Sequence, residues 1–231
     1  MTELTQNVVH VWYTYLRMIS QQEDLFLSYL SIDEISRAER FHFPIHRERF
    51  IAARGMLRKL LGEYLNLEPN VITFSYNANG KPFLENTNIE FNISHSNDIA
   101  VYAFTQSSPI GVDIEKAKET YEDAVAKRYF SEEEYADLNA MPDSEKAQTF
   151  YRIWSRKEAV IKALGKGIIY PLSSFSVPVV DSYEPLRLTV EGAEWHLQSM
   201  QIDENYQSAF VTQQVVKKVL QRKCKGLNFH A

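Results

Sequence analysis

Two carboxylates alternate along Ile110-Gly111-Val112-Asp113-Ile114-Glu115-Lys116, and a third lies in Trp154-Ser155-Arg156-Lys157-Glu158-Ala159-Val160-Ile161-Lys162. On a strand, Asp113 and Glu115 share one face, with Cβ atoms about 7 Å apart, and Val112 and Ile114 supply an apolar opposite face. Two acids on one face repel, so the arrangement calls for open solvent or for a cation. Oxygen-only donors suit Mg²⁺, which takes one or two carboxylates together with substrate phosphate oxygens. Trp154, Glu158 and Lys162 recur every four residues and form one stripe of a helix. Each feature also has an ordinary reading: a solvated edge strand, and a surface Glu–Lys pair worth roughly 0.2–0.5 kcal/mol.

Cationic and hydroxyl groups of the kind that hold phosphates recur upstream. Ser94-His95-Ser96 reads as a polar turn between two hydrophobic strands, able to hold an anion through hydroxyls, imidazole and backbone N–H groups. Lys81 sits at the tip of the Asn77-Ala78-Asn79-Gly80-Lys81-Pro82 turn, within reach of a ligand or simply solvated. Arg37, Arg40, Arg47, Arg49, Arg54 and Arg58 follow closely on one another, with His42 and His46 among them. Arg47, Arg54 and Arg58 share a helical face, either an anion site or a solvated basic surface. Together, Asp113, Glu115 and Glu158 with Lys162, Lys81, His95 and the arginines describe a phosphate-ester or pyrophosphate site built around Mg²⁺.

The elements that must position these groups follow from local patterns. Val8–Met18 is rich in Val, Tyr and Trp and reads as the first strand. Asp24–Leu30 reads as a short amphipathic helix. Ser31 with Glu34, and Ser131 with Glu134, are capping-box starts of two further helices. Pro44 separates a short helix from a longer one over Arg47–Leu65. Strands are expected at Val71–Tyr76, from Phe83, at Ile89–Ser94 and at Ile99–Phe104. Ala124–Phe130 is a short helix, and a long one over Asp143–Leu164 ends at Gly165. After Pro171 come β-like segments at Phe175–Val180, Leu186–Val190, Trp195–Met200 and Ser208–Val211. The basic stretch from Val215 to Ala231 reads as an appendage.

Composition bounds the class. The 231 residues carry a net charge of −5 and a 45% hydrophobic fraction, which suits one compact domain or two small ones and excludes a general nucleic-acid binder. Cys224 is the only cysteine, so no intrachain disulfide and no cysteine-rich zinc site can form. No signal peptide and no membrane-spanning run is visible, so a cytoplasmic protein is expected.

Gly111-Val112-Asp113-Ile114-Glu115, Phe130-Ser131-Glu132-Glu133-Glu134-Tyr135 and Trp154 to Lys162 together resemble the signature of the 4′-phosphopantetheinyl transferases. Asn79-Gly80-Lys81-Pro82 and Phe91-Asn92-Ile93-Ser94-His95-Ser96 are similar to the same family's upstream motifs, in the right order, over roughly residues 31 to 180. The length resembles the surfactin-synthetase-activating type. The resemblance implies an α+β fold of two similar α+β halves, 1–106 and 107–231, related by a pseudo-twofold axis with the active-site cleft between them. It implies transfer of the phosphopantetheine arm of coenzyme A to a serine of an acyl or peptidyl carrier protein, an acidic helical domain, by a monomer. Such carriers serve fatty-acid, polyketide or nonribosomal peptide synthesis. Asp113, Glu115 and Glu158 are then the ligands of Mg²⁺, or of Mn²⁺ in its place, and Glu158, Lys162 and Asp113 the catalytic groups. Lys162, Ser94 and His95 contact coenzyme A phosphates, Gly80, Lys81 and Pro82 form the turn near the nucleotide, and Arg37 and Arg49 hold the 3′-phosphate. Two other readings use the same residues: a Mg²⁺-dependent phosphohydrolase acting on a nucleotide pyrophosphate, and a non-enzymatic module binding an acidic protein or nucleic acid through residues 37 to 59.

Overall fold

The computed structural model describes residues 3–167 and 169–224. In chain order it contains β1 (Val8–Tyr15), α1 (Leu16–Ile19), α2 (Glu23–Tyr29), α3 (Ile32–Glu39), α4 (Pro44–Leu65), β2 (Ser75–Tyr76), β3 (Pro82–Phe83), β4 (Ile89–Ser96), β5 (Ile99–Gln106) and β6 (Ile110–Lys116). These are followed by α5 (Asp123–Tyr129), α6 (Glu132–Ala140), α7 (Asp143–Leu164), β7 (Leu186–Val190), β8 (Ala193–Ser199), β9 (Tyr206–Thr212) and β10 (Lys218–Lys223).

The strands form two four-stranded sheets, ordered β10-β1-β5-β4 and β6-β9-β8-β7, plus the small β2-β3 ribbon. Strand alternation divides the core. Trp12, Tyr102 and Phe104 face helices α1 to α4, while Val9, Val11, Val101 and Ala103 join Val112, Ile114 and Phe210 of the second sheet in a shared core. The outer face of the second sheet packs with Leu197 and Val211 against Ile153, Val160 and Ile161 of α7. The chain is thus a mixed α+β fold whose sheets share one apolar core and whose helices cover the outer faces. Among the described residues, no helix is long and apolar enough to cross a membrane.

A device recurs in both parts of the chain. Ser31 and Ser131 each open a helix with a capping box, closed by Glu34 and Glu134. Both glutamates are buried, and each also neutralises a cation from the following 22-residue helix. Glu34 accepts from Arg58 Nε at 2.6 Å and from Arg54 Nε; Glu134 accepts from Lys157 Nζ at 2.7 Å. Arg58 Nη1 donates to the carbonyls of Pro69 and Ile72, at 3.0 and 2.8 Å. Lys157 Nζ likewise donates to the carbonyls of Leu172 and Phe175, at 2.8 and 2.6 Å.

This device explains where the structure departs from the sequence reading. Val71–Tyr76 and Phe175–Val180 are not the strands expected of them. The first reduces to a 3₁₀ turn at Pro69–Val71 and the two-residue β2, and the second is irregular. Their carbonyls are spent on buried cations: Ile72 on Arg58, Phe175 on Lys157, and Pro178 and Val180 on Arg156. The first strand stops at Tyr15 and continues as α1 rather than running to Met18. Helix α4 begins at Pro44 itself, a position where the missing N–H costs nothing. The basic stretch after Val215 is no appendage over its described part: β10 pairs parallel with β1, Val8 opposite Lys218 through Tyr13 opposite Lys223. Residues 225–231 of that stretch lie outside the described residues.

Candidate active site

Asp113 is placed by β6, whose inward residues Val112 and Ile114 are fully buried. Helix α7 lies directly on this strand at Gly111, where a Cβ would stand 2.1 Å from the carbonyl oxygen of Ala159 and 2.3 Å from the nitrogen of Ala163. Only glycine permits that approach, and the approach brings the Glu158–Lys162 stripe of α7 over the acids. Strand β4 is pinned to β6 from the other side. Asn92 Oδ1 accepts from Val112 N at 2.9 Å, Ser94 Oγ donates to Asp113 Oδ1 at 2.7 Å, and Ser96 Oγ donates to Glu115 Oε2 at 3.0 Å. Ser94 and His95 are therefore strand residues, and the turn comes later, at Asn97 and Asp98, with Asn97 at φ 48°.

Lys162 ties the groups together. Its Nζ donates to Asp113 Oδ1 at 2.5 Å and to Ser94 Oγ at 2.9 Å. Asp113 is only 2% exposed, and its Oδ2 is buried without a hydrogen-bond partner. Burial raises its pKa, against the opposing pull of Lys162 and Ser94. Burial and the charge of Asp113 raise Glu115 to about 7, and the same two causes raise Glu158. The three acids thus lie within one another's fields. Their donor set fits a hard divalent cation: oxygen ligands only, one of them an orphaned buried oxygen. Among the described residues, no group of three His, Cys, Asp or Glu side chains is already arranged to hold a metal ion, and Lys162 is the cation that Asp113 holds here.

A cavity of about 460 Å³ opens beside Lys162, lined by Arg37, Arg40, Phe50, Arg54, Tyr76, Gly80, Pro82, Ser94 and His95 among others. His95 lies at its exposed rim. Although the ring reaches solvent, the walls around it strip part of its hydration and lower its pKa, and the charges of Lys162 and Arg49 lower it further. Arg37 stands over the Phe50 ring at 5.3 Å. Gly80 and Pro82 line the cavity, but Lys81 does not reach into it. Its ammonium donates to the carbonyl of Ile110 at 2.9 Å, and burial lowers its pKa to about 8. Arg49 lies outside this lining, with its Nε buried and without a partner.

The arginine face expected to bind an anion is mostly committed elsewhere. Arg54 and Arg58 neutralise Glu34, and Arg47 pairs with Glu23. That commits three of the six arginines between residues 37 and 59 to internal ion pairs. Asn92 and Tyr76 were missed from the sequence as functional residues, and Ser96, read there as part of an anion-holding turn, braces Glu115 instead. Asn92 carried a signal, because it alternates in step with Ser94 and Ser96, which meet the acids. Tyr76, whose hydroxyl accepts from Arg54 Nη2 at 2.7 Å, carried none.

Residues 109–211 match the family model of the 4′-phosphopantetheinyl transferase superfamily, and residues 16–107 match that of the 4′-phosphopantetheinyl transferase N-terminal region. The chain is similar to 4′-phosphopantetheinyl transferase HetI of Nostoc sp., 39% identical over 207 residues that cover 87% of this chain and 86% of that protein. It is 35% identical over 196 residues to 4′-phosphopantetheinyl transferase Sfp of Bacillus subtilis, covering 84% of this chain and 87% of that protein. It is 31% identical over 197 residues to the L-aminoadipate-semialdehyde dehydrogenase-phosphopantetheinyl transferase of Homo sapiens, covering 75% of this chain and 64% of that protein.

Proposed function

Because the chain belongs to the 4′-phosphopantetheinyl transferase superfamily, we propose a role for each group around its cavity in that family's reaction. The protein is an enzyme that transfers the 4′-phosphopantetheine arm of coenzyme A to a carrier protein. In our reading, a carrier serine hydroxyl attacks the β-phosphorus, the one bearing the pantetheine arm. The bond to the bridging oxygen breaks, and adenosine 3′,5′-bisphosphate leaves.

One observation carries the assignment: Lys162 Nζ joins Asp113 and Ser94 at the rim of the cavity that His95, Arg37 and the Gly80–Pro82 turn line. The nucleotide lies in that cavity, its 3′-phosphate toward His95 and Arg37, with Arg49 supporting from behind. Ser94 and Lys162 donate to the pyrophosphate. Phosphoryl transfer is served mainly by positioning and charge neutralisation, and these donors supply both. Asp113, Glu115 and Glu158 would hold Mg²⁺ or Mn²⁺, which when bound supplies Lewis-acid stabilisation of pyrophosphate charge. Glu158, with its pKa raised, takes or orients the proton of the carrier serine.

The repeated capping-box and ion-pair device supports a division into halves at 106/107 related by a pseudo-twofold axis, with the cleft between them. A single chain supplying both sides of the cleft favours a monomer. Its partner is an acidic helical carrier domain meeting the basic rim. Hydrolysis of a nucleotide pyrophosphate, the other use of these acids, draws no support from the relatives. The test is a mass measurement. Incubation of apo carrier proteins with coenzyme A and Mg²⁺ should add one phosphopantetheine arm per carrier. Release of adenosine bisphosphate without carrier would instead establish a hydrolase.

A further inference from the structure

The turn that lines the nucleotide cavity is bolted to the end of the helix that carries Glu158 and Lys162. Asn77 Nδ2 and Asn79 Nδ2 donate to one acceptor, the carbonyl of Gly165, at 2.9 and 3.0 Å. Gly165 is the left-handed C-cap of α7, at φ 67°, and a Cβ there would stand 2.9 Å from Asn77 Nδ2. The orientation of the Asn77 amide is fixed by its other end, since Oδ1 accepts from the backbone N–H groups of Asn79 and Lys81, both at 2.9 Å. Lys81 of the same turn donates to the carbonyl of Ile110, the first residue of the strand that carries Asp113. One short turn therefore touches the cavity wall, the helix end and the start of the acid strand.

From this geometry we infer that Asn77 and Asn79 are positioning residues for transfer, holding the helix end that carries Glu158 and Lys162 in register with the nucleotide-binding turn. Neither touches the reacting atoms. A helix end leaves its last carbonyls without partners within the helix. Here the backbone N–H groups of Gly165 and Lys166 cap the carbonyls of Ile161 and Lys162 locally, while two side chains from a distant part of the sequence serve the carbonyl of Gly165 and add a specific join to that local cap. When the join is broken, the turn keeps its own hydrogen bonds and still holds the nucleotide. The helix end gains freedom at the reacting phosphate, so turnover falls while nucleotide affinity stays. The inference rests on the transferase reading of the site.

Asn77→Asp separates the two functions of the side chain. The carboxylate still accepts from Asn79 N and Lys81 N, but it donates nothing to Gly165 and repels its carbonyl. Asn79→Ala removes the second donor and leaves the turn backbone unchanged. Steady-state transfer would be measured with coenzyme A, Mg²⁺ and apo carrier proteins of the fatty-acid, polyketide and peptide kinds. For the pair of substitutions, kcat should fall roughly tenfold or more, as displacement of positioned groups does. KM for coenzyme A should stay within about threefold, the signature of an interaction that matters only at the transition state. If Asn77→Asp fails to fold, Asn79→Ala alone should show the same split in smaller measure. Unchanged kcat in a native-like Asn79→Ala protein, or a rise in KM with kcat intact, overturns the positioning role. Absence of transfer by the native protein to all three kinds of carrier overturns the transferase reading itself, and the positioning role with it.

Discussion

Asp113 accepts from Lys162 with one oxygen, at 2.5 Å, and keeps its other oxygen buried without a partner. A buried carboxylate left half satisfied is costly unless something completes it. A divalent cation bound with coenzyme A would do so. EDTA should therefore abolish transfer, and Mg²⁺ or Mn²⁺ should restore it. Asp113→Asn should lower kcat by roughly a hundredfold or more, the order of several kcal/mol of Lewis-acid stabilisation. Full activity of the native protein in EDTA would sink the metal assignment.

The cavity rim should discriminate for the 3′-phosphate. Removing one charge-assisted hydrogen bond there costs roughly 1.5–3 kcal/mol. Dephospho-coenzyme A should accordingly give a kcat/KM at least tenfold below that of coenzyme A, about the lower end of that range. Arg37→Ala and His95→Ala should each narrow the gap. Equal use of both substrates by the native protein would rule out this placement of the phosphate.

Without metal, the acids should work against the fold. The carboxyl of Glu115 has its pKa raised from 4.5 to about 7. Its contribution to stability is fully present below the unfolded value and is lost as pH rises through the folded one. In EDTA, stability should fall between those two pH values by up to about 3 kcal/mol from this group. Glu115→Gln should flatten that fall and melt higher than the native protein at pH 8. It should also gain less on addition of Mg²⁺ and coenzyme A. A lower melting temperature with the full ligand shift would mark Glu115 as an ordinary solvated residue.

Lys157 and Glu134 form a pair that α7 cannot do without. Lys157→Met leaves Glu134 charged and buried, and should cost about 3–5 kcal/mol in urea unfolding. Glu134→Gln added to Lys157→Met should cost less than the sum of the two singles, because the second change removes the stranded charge. Strict additivity would mean that the two groups do not interact.

His10 should make the first sheet acid-sensitive. Its ring is 1% exposed, with Nδ1 2.7 Å from the Tyr64 hydroxyl and Nε2 without a partner. Burial, then the charges of Arg222 and Lys218, lower its pKa from 6.5 to about 4. The stability gained by burying it neutral is present above the unfolded value and is lost as pH falls through the folded one, up to about 3 kcal/mol. His10→Phe should lose less stability than the native protein between pH 7 and pH 4.5. Parallel losses in the two proteins would refute the assignment.

Features set by neighbours in sequence were legible in the sequence alone. The alternation around Asp113, the two capping boxes and the extent of α7 from Asp143 to Leu164 all come from residues within a few positions of one another. Features set by distant partners were not. Arg54 and Arg58 look like an anion site until Glu34 is seen between them, and Lys81 looks free until the carbonyl of Ile110 is seen beneath it. Phe175–Val180 has the composition of a strand, but its carbonyls face the cations of α7. In each case a partner distant in sequence overrode a preference that the segment shows on its own.

The pairing of β10 with β1 has a consequence for how the chain is made. Strand β1 waits with one edge open until every other described element has left the ribosome, because its neighbour on that side is the last of them in chain order. Until then β1 has only β5 for a partner, and its outer row of N–H and C=O groups is available to any strand that passes. Nascent chains stalled after Thr212 would carry both long helices and every group of the reaction centre, yet present an unprotected edge. Completion of the first sheet is thereby placed late in translation. A chain cut short before β10 would be a species prone to associate through β1 rather than one that merely lacks a strand.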